Sequence, residues 1–173
     1  MDGNKELHNI NIARSSAVTA YAIIYMRQFK FNPSFPNFYY TDIDSAYLDG
    51  PIDPSFISPT QLGKMKLEGV YVRALFMAPK VYALKYSQEE ILKIKGLTKE
   101  AIKNNKITID TLELLLFKDH KLAFNQTKWF KNISKANIQI LDQTYTLKAN
   151  ENKRELIYND KGILVGTKPI FLK

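Results

Sequence analysis

The reading of this chain turns on Phe38-Tyr39-Tyr40-Thr41-Asp42-Ile43-Asp44-Ser45-Ala46-Tyr47-Leu48. Aromatic and β-branched residues at 38–41 favour a strand, and Ala46-Tyr47-Leu48 offers its return. Two carboxylates, Asp42 and Asp44, lie between them. On extended backbone, residues i and i+2 share a face, so both can point at one site. At a tight hairpin tip they need not be parallel. Hard divalent cations such as Mg²⁺ take oxygen ligands and keep several waters, so this pair is a plausible half-site for one. Asp is also a common turn former, and a bare Asp-x-Asp is more often a solvated turn. The residues of the pair alone leave both readings open.

Working outward, residues 6–29 predict one long helix. Ile10, Ala13, Ala17, Ala20, Tyr21 and Ile24 recur at three- and four-residue steps, and many small residues allow close approach of a neighbour. Pro33 and Pro36 end it, and Asp49-Gly50-Pro51 is a turn. A Pro-rich hinge spans 51–63. Strand formers follow at 64–67, 70–78 and 81–86, suggesting a small antiparallel meander. The stretch 89–97 fits strand or helix: Ile91, Ile94 and Leu97 are three apart, yet Ile94-Lys95-Gly96 reads as a strand end. Residues 98–105 predict a short helix, and Thr108 or Asp110 can cap another over Leu112, Leu115, Leu116 and Phe117. Strand patterns return at 129–133, 138–141 and 144–147. A last hairpin turns at Asn159-Asp160-Lys161-Gly162. The expected class is α+β: an antiparallel sheet backed by a long helix to about Lys85, then a mostly β subdomain over 86–173.

Composition excludes several chemistries. At 173 residues the chain forms one domain, or one and a fragment. It has no Cys, which removes disulfides, zinc knuckles, iron–sulfur clusters and thiol nucleophiles. Two His, His8 and His120, cannot make a multi-histidine metal site; surface positions are expected for both. No apolar run reaches the roughly 18 residues of a membrane span, and the polar 1–6 lacks a signal-peptide core. The net charge of +8 is uneven. Residues 1–60 carry four basic and six acidic residues, whereas 61–173 carry 21 and 11. An excess of +10 in one segment suits a polyanion, or simply a soluble basic surface.

In this context Tyr40-Thr41-Asp42-Ile43-Asp44-Ser45 resembles motif C, Tyr-x-Asp-Thr-Asp-Ser, of family B DNA polymerases. The likeness is to the protein-primed branch carried by phages and linear mitochondrial plasmids. Ile43 replaces the usual Thr, a mild change because that residue is not a ligand. The Ala-rich stretch 11–22 is similar to the palm helix before motif C, and Leu62-Gly63-Lys64-Met65-Lys66-Leu67-Glu68 to the segment after it. Lys80-Val81-Tyr82, 36 residues beyond Asp44, looks like the Lys-x-Tyr motif. Ile94-Lys95-Gly96-Leu97, Trp129 and Asn152-Lys153-Arg154 are similar to the thumb of the plasmid enzymes. Order and spacing agree, most strongly over 9–86.

The resemblance implies a C-terminal palm over 1–85 and a basic thumb over 86–173. It implies that Asp44 is the principal carboxylate of a two-Mg²⁺ site, with Asp42 supporting it. It implies that Lys80 holds the primer backbone, Tyr82 the primer terminus, and that Tyr40 seats the hairpin. The implied partners are DNA primer–template, deoxynucleoside triphosphates, and a terminal priming protein or a chain supplying missing motifs, with no membrane. The implied setting is the mitochondrion. The chain departs from the family in one respect. It has neither the Asp-x-x-Ser-Leu-Tyr-Pro of motif A, the Lys and Asn-Ser-x-Tyr-Gly of motif B, nor the exonuclease carboxylates. A C-terminal fragment from a split or decayed frame, inactive alone, is therefore expected.

Two other readings remain beside it. One is a non-catalytic DNA-binding remnant or subunit gripping duplex. The other is a metal-dependent nuclease completed by Glu68. Trp129 and Tyr145 could stack bases, although each is more often a core or half-buried strand residue. Asn132-Ile133-Ser134 matches a glycosylation acceptor but means nothing without a signal peptide.

Overall fold

The computed structural model describes residues 11–149 and 154–170. His8, the first part of the expected helix and Asn152-Lys153 lie outside them. The architecture is mixed α and β, with antiparallel sheets and few helices. The chain falls into two compact units that divide between Leu67 and Glu68.

In the first unit, α1 (Ile12–Phe31) starts at Asn11, whose side chain accepts the Arg14 backbone N–H at 3.0 Å. This satisfies one of the open donors at the helix start. Its apolar residues are spread round the helix among polar ones such as Arg14, Ser15, Thr19 and Arg27 rather than gathered on one face, and only Met26 and Phe29 are buried. Phe29 stacks on Phe35 and meets Phe56 edge-on, both at 5.7 Å between ring centres. Phe35 and Phe56 close the triangle at 5.5 Å. Pro33 and Pro36 turn the chain back, so the rings after the helix fold onto its last turns. Strands β1 (Phe38–Tyr40) and β2 (Tyr47–Leu48) form a two-stranded antiparallel sheet. The strand formers at 64–67 make no strand. They contribute one parallel bridge, Ile57 with Met65.

In the second unit, β3 (Arg73–Ala78), β4 (Val81–Lys85) and β5 (Glu90–Ile94) form an antiparallel meander; its first two strands fall within the expected 70–78 and 81–86, but its third is β5 and not 64–67. The ambiguous 89–97 is thus a strand, fixed by pairing with β4 from Val81 opposite Ile94 to Lys85 opposite Glu90. Helix α2 (Lys99–Asn104) is capped by Thr98. Helix α3 (Ile109–Glu113) is capped by Thr108 in a reciprocal pair with Thr111, and a 3-10 turn, Leu114–Leu116, follows it. Then come the long hairpin β6 (Lys121–Asn132) and β7 (Asn137–Lys148), and the last hairpin β8 (Arg154–Tyr158) and β9 (Leu164–Pro169). The helix-backed sheet expected from sequence is therefore divided: 38–48 and 73–94 belong to separate sheets.

The core of this unit gathers Val81, Ala83 and Ile94 from the meander, Ile109, Leu112 and Leu115 from the helical segment, and Phe124 and Leu147 from the long hairpin. Arg73 spans from β3 to Asp110 at 2.6 Å and Glu113 at 2.5 Å. Gln126, the buried polar residue at the foot of the long hairpin, donates to the Gly96 carbonyl at 2.9 Å and accepts the Thr98 N–H at 3.3 Å. Gly96 has φ +103°, and a Cβ there would lie 2.7 Å from the Tyr145 ring. That ring cannot swing away freely, because its hydroxyl donates to the Lys95 carbonyl at 2.9 Å.

Gly96→Ala is therefore expected to cost about 2–3 kcal/mol, from positive-φ strain and the clash together. Denaturant unfolding checks it, and a loss below about 0.5 kcal/mol, the level of an ordinary surface substitution, would contradict the packing.

Candidate functional site

The Asp42–Asp44 segment is the tip of the β1–β2 hairpin, and it is not extended. The Asp44 N–H donates to the Asp42 carbonyl at 2.9 Å, and Ile43 between them has φ +64°. A bond from i+2 to i with positive φ at the centre is a γ-turn of the rare, strained kind. Ile43 is an unfavourable occupant, because a β-branched side chain at positive φ is a clear outlier. Its side chain is 76% exposed, so no burial offsets the strain.

Neighbouring side chains hold the turn. Thr41 Oγ1 donates to the Ser45 carbonyl at 2.7 Å, and the Asp42 N–H donates to Ser45 Oγ at 3.0 Å. Thr41 and Ser45 thus clasp the two ends of the tip. Below it, Tyr40 pairs directly with Tyr47, their rings 5.7 Å apart. At the open end, Asn37 Nδ2 donates to the Asp49 carboxylate at 2.8 Å, and the Asp49 N–H to the Asn37 carbonyl at 3.3 Å. The Asn37 side-chain amide, with smaller help from the Tyr39 hydroxyl, holds the Asp49 carboxyl below the usual carboxylate range against desolvation. Asp53 is likewise lowered, by the Ser55 N–H and hydroxyl.

The two carboxylates differ in setting: Asp44 is exposed and Asp42 half-buried. As a donor set, two carboxylates on one tip suit a hard cation that keeps most of its water. They are too few to cage it. Among the described residues, no three carboxylates or histidines gather where one ion could sit. Glu68, which the three-carboxylate reading needs, lies in the second unit, apart from the tip in the chain's division.

Lys80 and Tyr82 lie in the second unit. Pro79-Lys80 is the two-residue turn between β3 and β4. Pro fixes φ near −65°, and Lys80 has φ +63°, the pattern of a type II turn. The Lys80 carbonyl accepts the Lys95 N–H at 2.9 Å, which ties the turn to the end of β5. Tyr82 stands directly opposite Phe76 on one side and Lys93 on the other. Its ring lies 6.1 Å from that of Phe76. The exposed Lys93 therefore shares a sheet face with Tyr82. Sequence reading missed it, because only strand register reveals the pair.

Other sequence candidates resolve plainly. Tyr145 is structural, packed on Gly96 and bonded to Lys95. Trp129 is not in the core: it is 71% exposed. His120 is exposed, its ring 5.5 Å from that of Phe117. Among the described residues, no helix is long and apolar enough to cross a membrane.

Comparison with known proteins gives one consistent result. The chain is 31% identical over 170 residues to a protein of Ascobolus immersus named "Probable DNA polymerase", covering 95% of this chain and 14% of that protein. It is 33% identical over 137 residues to a "Probable DNA polymerase" of Neurospora intermedia, covering 76% and 13%. It is 27% identical over 183 residues to one of Podospora anserina, covering 98% and 15%. The class on which the three names agree is DNA polymerase. The chain spans no more than 15% of the length of these relatives. No family model matches the chain, and no solved structure does.

Two outcomes follow from the hairpin. Ile43→Gly is expected to raise stability by about 1 kcal/mol, since relief of roughly 1–3 kcal/mol of strain exceeds the entropy cost of glycine. Ser45→Ala is expected to lower it by about 1 kcal/mol. Urea unfolding checks both, and a destabilised Ile43→Gly would mean that the turn is not strained. For Asp49, the folded-state value lies below 3.8, so its contribution is present above that pH and fades as pH falls through and beneath it. Asn37→Ala should flatten the acid-side fall in melting temperature. An unchanged acid limb would show that the Asn37 bond does not set it.

Proposed function

We propose that this chain is the palm–thumb portion of a DNA polymerase of the protein-primed family B type, with the Asp42–Asp44 tip as its part of the metal site. The observation that carries the reading is the carboxylate pair on a clasped, strained hairpin tip, in a chain similar along most of its length to proteins named probable DNA polymerases. Strain at an exposed position that nothing buries is a reason to look for function there.

In this reading the exposed Asp44 is the main carboxylate for Mg²⁺, and the half-buried Asp42 supports it. When bound, two Mg²⁺ ions supply the charge that activates a primer 3′-hydroxyl and offsets the leaving pyrophosphate. Thr41 and Ser45 hold the backbone of the tip that carries both carboxylates. Tyr40, braced by Tyr47, seats the hairpin near the primer end. Tyr82 packs at the primer terminus, and Lys80 and Lys93 take its phosphates. The basic residues beyond 86 grip the product duplex through its backbone, without reading sequence. Deoxynucleoside triphosphates are the substrates. Motifs A and B come from another segment or chain, with a priming protein as a further partner, so these residues are inactive alone. A mitochondrial setting rests on the resemblance to plasmid enzymes. The alternative is a non-catalytic subunit that grips primer–template duplex, favoured by the same basic excess.

Primer extension with Mg²⁺ and four deoxynucleotides, beside Asp44→Ala and a duplex-binding assay, tests the reading. The expected result is salt-sensitive duplex binding without extension, and extension restored only when a protein carrying motifs A and B is added. Asp44→Ala should abolish that restored extension by at least a hundredfold, on the order of a lost electrostatic catalytic group. Restored extension that ignores Asp44→Ala would leave the duplex-gripping reading in its place.

A further inference from the structure

The long hairpin has two halves of different character. Near its foot, Phe124, Gln126 and Leu147 are buried, and Leu122 and Tyr145 pack beside them. Beyond Gln126 opposite Gln143, no residue is buried. The ladder nevertheless runs on without a break for six more pairs, to Asn132 opposite Asn137. At about 3.4 Å per residue, this free part extends roughly 20 Å. Its turn is built by Asn132, whose side chain accepts the Ser134 hydroxyl at 2.9 Å and the Lys135 N–H at 3.1 Å. The arm is therefore an ordered projection with its own closed tip.

Its surface is unusual for a projection into water. Trp129 faces Ile140, and Lys131 faces Ile138, so these four side chains share one face. Trp129 is 71% exposed, and Ile138 and Ile140 are more than half exposed. Toward the foot, the same face turns polar at the next pair, where Thr127 donates to Asp142 at 2.5 Å. Over 128–141 the charged residues are Lys128, Lys131 and Lys135, with no acid. An apolar shelf carrying one large flat ring, with Lys131 on the same face, Lys135 in the turn beyond it and a carboxylate at its inner end, has the chemistry of a site for bases and phosphates. A protein-docking patch would be poorer in lysine, which is depleted at interface cores. A duplex hides the faces of its bases, whereas a single strand offers them for stacking.

We infer that the distal arm, 128–141, binds single-stranded nucleic acid, with a base stacked on Trp129 against Ile140 and neighbouring phosphates held by Lys131 on the same face and Lys135 in the turn. The Asp142 carboxylate repels the backbone and ends the footprint at the foot. This site is separate from duplex gripping and from the Asp42–Asp44 tip, so it stands whether or not the chain takes part in nucleotidyl transfer.

Trp129 is the sole tryptophan of the chain, so fluorescence excited selectively at tryptophan, where the tyrosines do not absorb, reports on this site alone. The full chain is titrated with oligothymidylate and, separately, with a blunt duplex of equal length, and labelled-strand anisotropy gives the affinity. Saturable quenching by the single strand, and little by the duplex, is expected. Trp129→Ala should weaken single-strand binding by roughly 5- to 150-fold, and Trp129→Phe should restore most of it. Lys131→Ala with Lys135→Ala should reduce the slope of log affinity against log salt by about 1.4. Melting temperature checks that each variant folds. Single-strand binding that leaves the fluorescence and the Trp129→Ala affinity unchanged would overturn the inference. So would a Trp129→Ala variant that loses self-association while keeping its affinity for the strand, since the shelf would then be a protein interface.

Discussion

Ile109, Leu112 and Leu115 are wholly buried, and they come from a helical segment too short to be stable alone. They fill the space that the meander and the foot of the long hairpin leave between them. Neither sheet can bury its own inner face. The meander has three strands and the hairpin two, and small sheets of this kind need a partner to persist in water. The helical plug supplies that partner to both at once. The Arg73 fork to Asp110 and Glu113 and the bond from the Ile109 N–H to Glu90 orient the plug on the meander. Because these contacts lie at the surface or its margin, they set geometry more than they add stability.

Much of this was legible in the residues. Thr108 announces its helix, because a threonine hydroxyl three residues before a free N–H is a cap wherever it occurs. Asn159-Asp160-Lys161-Gly162 announces a hairpin, with Gly162 at φ +71° and Asn159 accepting two backbone N–H groups. What failed depended on partners. Asp142-Gln143 reads as a break between two strands, yet both residues pair across to Thr127 and Gln126, and β7 runs through them. The strand formers at 64–67 find no strand to pair with. Trp129 follows the local pattern of a half-buried residue, and only the length of the hairpin carries it beyond the core.

At the candidate site, the composition of the tip was legible and its conformation was not. Nothing in Asp-Ile-Asp signals a γ-turn, because isoleucine is among the last residues to choose positive φ. The turn exists because Thr41 and Ser45 over-determine it from outside. Lys80 is a parallel case, held at positive φ by Pro79 before it and by the Lys95 bond after it. Three further non-glycine residues, Lys106, Asp119 and Ala136, also have positive φ, so strain alone does not mark a site in this chain. It becomes informative where it falls on residues that chemistry had already singled out.

Among the described residues, each of the four sheets joins strands that are neighbours in sequence. No described strand waits for a distant segment before it can pair. The cost of closing a loop is therefore small for every ladder, and hairpins of this kind form in about 1–10 μs. The long hairpin can zip from the turn at 133–136 toward its foot, gaining a pair at each step, before any core exists. The slow event in this unit is then the docking of preformed hairpins onto the helical plug. Synthesis order favours it, since the meander and the plug emerge before the long hairpin that completes their burial.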